Sequence, residues 1–211
     1  MDEKLNDYLK QKLPANDDWV LELEQVARDE RVPIMDPLGI NFMMQLIRLN
    51  KPERILEIGT AIGYSALRMV EANPDATVVT IEKDEHRYKQ AVHNIKKLGM
   101  ENKIEIIHGD ALEVLNRLTI EYQFDMVFID ASKGQYKRFF ELSGPFLSKS
   151  GFIISDNVLF KGFVADPDKE HARMQNIAKK IREYNDWLIQ HPEFTTTIVP
   201  IGDGVAVSNK K

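Results

Sequence analysis

The 211-residue chain contains no cysteine. Disulfides and thiolate metal centres are thereby excluded. Histidine is scarce, and His86, His93, His108, His171 and His191 form no ligand-spaced cluster, which argues against a histidine-rich metal site. No apolar run approaches the roughly 18 residues that a bilayer span requires. The opening MDEKLNDYLK is polar and acidic, unlike a secretory signal; the expected location is the cytoplasm, with no membrane partner. Positive charge is not in excess. The net charge of −5 speaks against a dedicated nucleic-acid coat protein, which needs a broad basic surface, but leaves room for an enzyme that touches RNA locally. Internal repeats, low-complexity linkers and composition breaks are also missing. One domain is expected, with residues 1–50 as a helical cap and 51–211 as an α/β core.

What is present is an ordinary globular balance, 43% hydrophobic and 29% charged, with enough length for a substantial core. WVLELEQVARDE and GINFMMQLIRLN carry apolar residues at helical spacing. Strands and helices then alternate: RILEIG, YSALRMVEA, ATVVTIE, DEHRYKQAVHNIKKLG, KIEIIHG, ALEVLNRL, FDMVFID, QYKRFFELSGPFL, GFIISD and MQNIAKKIREYNDWLIQ. TTTIVPI and VAVSN close the chain around Gly202-Asp203-Gly204, a link of three residues. Alternation predicts right-handed βαβ units and a mostly parallel sheet. A link that short cannot form a crossover, so the last two strands must pair antiparallel. In such sheets ligands bind at the carboxyl ends of the strands, which gathers several acidic residues onto one rim.

The first strand runs into LEIGTAIGYS, where Gly59 and Gly63 permit unusual dihedrals or close approach of a ligand. The pattern is neither G-x-G-x-x-G nor G-x-x-x-x-G-K-[ST], so a pyrophosphate cradle is disfavoured. Instead Glu57 precedes the loop and Glu82 ends the next strand, where a carboxylate grips ribose hydroxyls. A cofactor with a ribose and a positive charge but no phosphate fits both acids: S-adenosylmethionine. Asp110 either caps the helix of ALEVLNRL or accepts from an adenine amino group. Asp130 ends the fourth strand and Asp156-Asn157 the fifth. Adjacent strand ends lie about 5 Å apart, so these oxygens can converge on a hard ion such as Mg²⁺. The other readings are two separate turns or a carboxylate acid/base pair. Lys133, three residues past Asp130, is either solvated or placed to handle the proton of a hydroxyl nucleophile. A nicotinamide dehydrogenase or a non-catalytic binding module are the alternatives of a different class.

Taken in order, LEIGTAIGYS, VVTIEKD, HGDALEVL, DMVFIDASKGQY, ISDNVLFKGFV and IVPIGDGVAV resemble the cation-dependent class I O-methyltransferases of the caffeoyl-CoA and catechol type. The resemblance covers roughly residues 33–208. It implies a Rossmann-like fold with a seven-stranded sheet and a C-terminal antiparallel hairpin, S-adenosylmethionine, Mg²⁺ and a homodimer. It further implies Asp130, Asp156 and Asn157 as metal ligands, Lys133 as the catalytic base with Asp130 beside it, and Glu82 as the ribose acid. Met35, Gly59, Ser65, Asp110 and Ala111 match cofactor contacts; Glu57, Gly63 and Asp130 complete the expected cofactor set. Within the family the chain is similar to the bacterial branch that methylates 5-hydroxyuridine at the tRNA wobble position. That branch implies the anticodon region of tRNA as partner; candidate phosphate contacts are Lys137, Arg138, Lys161 and the basic face of the 169–182 helix (Lys169, Arg173, Lys179, Lys180 and Arg182), which reads equally as an ordinary solvated face. A small catechol or hydroxycinnamoyl-type acceptor is the alternative.

Overall fold

The computed structural model describes residues 3–119, 123–166 and 172–211. Three helices come first: α1 (Glu3–Lys10), α2 (Asp18–Asp29) and α3 (Pro37–Asn50). Asp36 starts α3 by accepting the Leu38 N–H at 2.9 Å, with Pro37 in the first turn, a position where its missing N–H costs nothing. The alternating part follows as β1 (Arg54–Ile58), α4 (Tyr64–Ala72), β2 (Thr77–Glu82), α5 (Glu85–Lys97), β3 (Ile104–His108), α6 (Ala111–Arg117), β4 (Phe124–Ile129), α7 (Tyr136–Ser143), β5 (Leu147–Ser155), α8 (Ala172–Ile189), β6 (Phe194–Val199) and β7 (Val205–Lys210). Asp84 caps α5 through the Arg87 N–H, and Gly99 (φ 65°) follows that helix, as a left-handed stop should.

The seven strands form one sheet in the order β3-β2-β1-β4-β5-β7-β6. The first five pair in parallel, and β7 runs antiparallel to both β5 and β6. The central strands are apolar on both faces because helices cover both. Ile55, Met126, Phe128, Phe152 and Ile154 point to the core under α2, α3 and α4. Leu56, Val127, Ile129 and Ile153 point to the core under α6, α7 and α8. A small third cluster of Phe160, Ala178 and Ile181 ties the loop after β5 to α8.

Two boundaries differ from the sequence reading. Strand β5 begins at Leu147, not Gly151, because an irregularity after Phe124↔Leu147 lets the chain rejoin β4 at Met126↔Phe152. The connection between β6 and β7 spans residues 200–204, since Pro200 and Ile201 lie outside the ladder. No helix among the described residues is long and apolar enough to cross a membrane.

Candidate active site

The carboxyl ends of β1, β2, β4 and β5 meet at one rim, and a glycine makes the meeting possible. Gly59 adopts φ 103°, and a side chain there would land on the backbone carbonyl of Asp130. Its N–H donates to Ile81 O at 3.0 Å, and the Asp130 N–H donates to Ile58 O at 3.0 Å. The exits of three strands are thus sewn together by backbone hydrogen bonds that a Cβ would break.

Glu57 lies beneath this rim. It is fully buried and is not among the residues that line the cavity above it. Its carboxylate instead accepts hydrogen bonds from Ser65 Oγ and, at 2.6 Å, from Thr80 Oγ1. Burial pushes its pKa up to about 7, against the two hydroxyls that lower it. Glu57 therefore clamps the first turn of α4 to β2.

Above the rim opens a cavity of about 770 Å³. Gly59, Ser65, Glu82, Asp110, Ala111, Asp130, Lys133 and Asn157 line it. Gly63 (φ 85°) does not; it caps α4 and packs toward Ala91. Met35 lines a smaller neighbouring cavity of about 470 Å³, which shares Val32, Pro33, Ile34, Asn157, Lys161 and Asp203 with the first. Glu82 accepts from the backbone N–H groups of Ala61 and Asp84, each at 2.8 Å. A carboxylate has about four lone-pair positions, so Glu82 keeps capacity for hydroxyl donors in the cavity. Asp110 caps α6 through the Leu112 N–H at 2.9 Å and pairs with Lys83 at 2.7 Å. The Lys83 ammonium and that N–H hold the Asp110 carboxyl below its usual range.

At the far wall the two polar strand ends come together. Ile129 and Ser155 are register partners, and the Asp156 N–H donates to Ile129 O at 3.1 Å. Asn157 takes φ 56°, a left-handed conformation that asparagine tolerates better than most residues. It thus makes the turn and also presents its side chain at the rim. Lys133 Nζ donates to Asn157 Oδ1 at 2.7 Å, and Asn157 Nδ2 donates to Asp156 Oδ2 at 3.2 Å. Burial raises the Asp130 and Asp156 carboxyls, Asp156 well above the usual range, and the charge of Asp130 adds to the rise at Asp156. Two buried carboxylates, one raising the other's pKa, with the Asn157 carboxamide beside them and no soft donor, suit a hard divalent ion. Among the described residues no group of three His, Asp or Glu side chains could hold an ion; the fit rests on two carboxylates and one carboxamide.

Sequence reasoning missed Asp203, which lines both cavities and acts on Asp130 and Asp156 through its charge. Only the hairpin carries it there. Val158 and Leu159 donate to Gly204 O and Asp203 O at 3.0 and 2.8 Å. Gly204 (φ 88°) has no room for a side chain, because Leu159 occupies the place of its Cβ. The turn residues were visible in the sequence; their arrival beside β5 was not. The wall formed by Val32, Pro33 and Ile34 had no local signal either. Lys169 lies outside the described residues.

Comparison with known proteins fits this geometry. A family model described as O-methyltransferase matches residues 15–211. The caffeoyl-CoA O-methyltransferase of Populus kitakamiensis is 32% identical over 175 residues, covering 80% of this chain and 74% of its own. A crystal structure from Staphylococcus aureus, provisionally called a caffeoyl-CoA O-methyltransferase, is 38% identical with a TM-score of 0.88, covering 99% of this chain and 98% of its own. The Podospora anserina methyltransferase PaMTH1, solved with S-adenosylhomocysteine bound, is 27% identical with a TM-score of 0.89, covering 100% and 97%.

Proposed function

The chain belongs to the O-methyltransferase family, and on that premise we propose that it methylates one of two neighbouring oxygens on its acceptor, using S-adenosylmethionine and a divalent cation such as Mg²⁺. One observation carries the reading. Lys133 Nζ sits 2.7 Å from Asn157 Oδ1, and both share with Asp130 the cavity of the glycine loop and Glu82, with Asp156 buried next to Asn157. Bound cofactor supplies an electrophilic methyl group, and a cation held by Asp130, Asp156 and Asn157 supplies a Lewis acid that acidifies a hydroxyl. The chain's own residues do the rest. Glu82 offers lone pairs to ribose hydroxyls, and Asp110 and Ala111 form the wall expected for adenine. Lys133 is placed to take the proton from the attacking hydroxyl oxygen. The walls align oxygen, methyl and sulfur, which is where most of the rate must come from.

For the acceptor we take 5-hydroxyuridine at the tRNA wobble position, giving 5-methoxyuridine. Its 5-hydroxyl and 4-carbonyl form a bidentate oxygen pair. Support comes from the cations around the cavity. Lys161 lines both cavities, and Lys180 Nζ lies over Gly134. The side chains of these two and of Arg173 have no ion pair or hydrogen bond with another described residue. The remaining candidates are engaged: Lys137 with Glu141 and the Trp187 ring, Lys179 with Glu183, Arg182 with Val164 O, while Arg138 acts on Asp110 through its charge. The second reading is a small catechol or hydroxycinnamoyl-type acceptor, favoured by the name of the Populus relative. Incubation with labelled cofactor and either hypomodified tRNA or a catechol panel separates the two. Label on catechols alone overturns the tRNA reading. Full activity in EDTA overturns the cation. A homodimer in the cytoplasm completes the proposal; sedimentation at a monomer mass would remove its first part.

A further inference from the structure

Tyr136 opens α7, directly after the turn that carries Lys133. Its side chain is 1% exposed, and its hydroxyl is one of three buried polar side-chain atoms without a hydrogen-bond partner among the described residues. Native proteins rarely bury a hydroxyl unpaired, so such an atom calls for an explanation. Its ring is held edge-on against Tyr184 at 5.5 Å, and Tyr184 in turn is bonded to Ser155 at 2.8 Å. The ring is therefore locked behind the β4 and β5 exits. On the other side of the ledger, no N–H or O–H of a described residue donates to the Asp130 carboxylate. A buried donor without an acceptor thus lies within electrostatic reach of a carboxylate without a donor.

We propose that Tyr136 is a positioning residue, whose hydroxyl donates to an Asp130 carboxylate oxygen when Asp130 and Asp156 are ionised around a divalent cation. The inference rests on the cation reading above. A ligating carboxylate needs its remaining lone pairs held, and such outer hydrogen bonds fix the ligand's orientation. The phenol remains a donor, because burial and then the charges of Asp130 and Asp156 hold its proton on.

The test is Tyr136→Phe, with Mn²⁺ binding followed by electron paramagnetic resonance. Expected is an Mn²⁺ affinity weakened roughly tenfold or more, S-adenosylmethionine affinity unchanged, and a smaller rise in melting temperature on adding Mn²⁺. In EDTA the variant should melt with the wild type, since an unpaired hydroxyl holds nothing together. Equal Mn²⁺ affinity in the two proteins overturns the inference and leaves the cation reading standing. Loss of stability in EDTA also overturns it, by showing the hydroxyl bonded elsewhere. Absence of Mn²⁺ binding in the wild type overturns the cation reading and the inference together.

Discussion

Replacing Glu57 by Gln tests the clamp beneath the cofactor loop. Burial raises the Glu57 carboxyl from the ordinary 4.5 to about 7. At 1.36 kcal/mol per tenfold change in proton affinity, that gap corresponds to about 3 kcal/mol. The folded chain holds this proton more tightly than the unfolded chain does. Its contribution is therefore fully present below pH 4.5 and lost as the pH rises through about 7. Glu57→Gln removes the titration and keeps the shape. Hydroxyl rotation can accommodate the amide, because Thr80 Oγ1 also lies 2.6 Å from Thr60 Oγ1. The variant should thus gain on the wild type as the pH rises from about 4.5 to about 7.5, by about 3 kcal/mol in all, or roughly 10 °C in melting temperature for a chain of this size. Denaturant unfolding of both proteins across that range measures the difference directly. The raised carboxyls of Asp130 and Asp156 bias both proteins alike and largely cancel. Parallel stability curves would refute the reasoning, because Glu57 would then be ionised without penalty.

Gly204→Ala should destabilise the protein by about 3 kcal/mol, combining a left-handed backbone cost with overpacking against Leu159; thermal unfolding checks it. Lys133→Ala should lower kcat about 10²-fold or more while leaving cofactor affinity near wild type by calorimetry; an equal loss in both would make Lys133 a binding residue. Asp156→Ala should abolish both turnover and Mn²⁺ binding, yet retain cofactor binding. EDTA should silence the wild type, with Mg²⁺ restoring activity.

The alternation of apolar strands and amphipathic helices made the sheet and its antiparallel end legible, because period-2 and period-3.6 patterns answer to local geometry. The rim positions of Glu82, Asp110 and Asp130 were legible for the same reason: a strand's carboxyl end marks where its cavity-lining residue stands. The place of Glu57 beneath the rim was not legible, because neighbouring residues on a strand face opposite ways. No composition rule says which side the cavity occupies, or that Ser65 and Thr80 will satisfy a carboxylate from below.

The order of residues by itself determined that oxygen-bearing side chains would end successive parallel strands, since chain connectivity and handed crossovers leave few other arrangements. Tertiary structure alone decided which of them share a cavity. Asp203 reaches it because β7 inserts between β5 and β6. Tyr136 lies behind it because α7 and α8 pack on the same face of the sheet. Both depend on contacts between segments far apart in the chain, and such contacts leave no periodic trace in either segment.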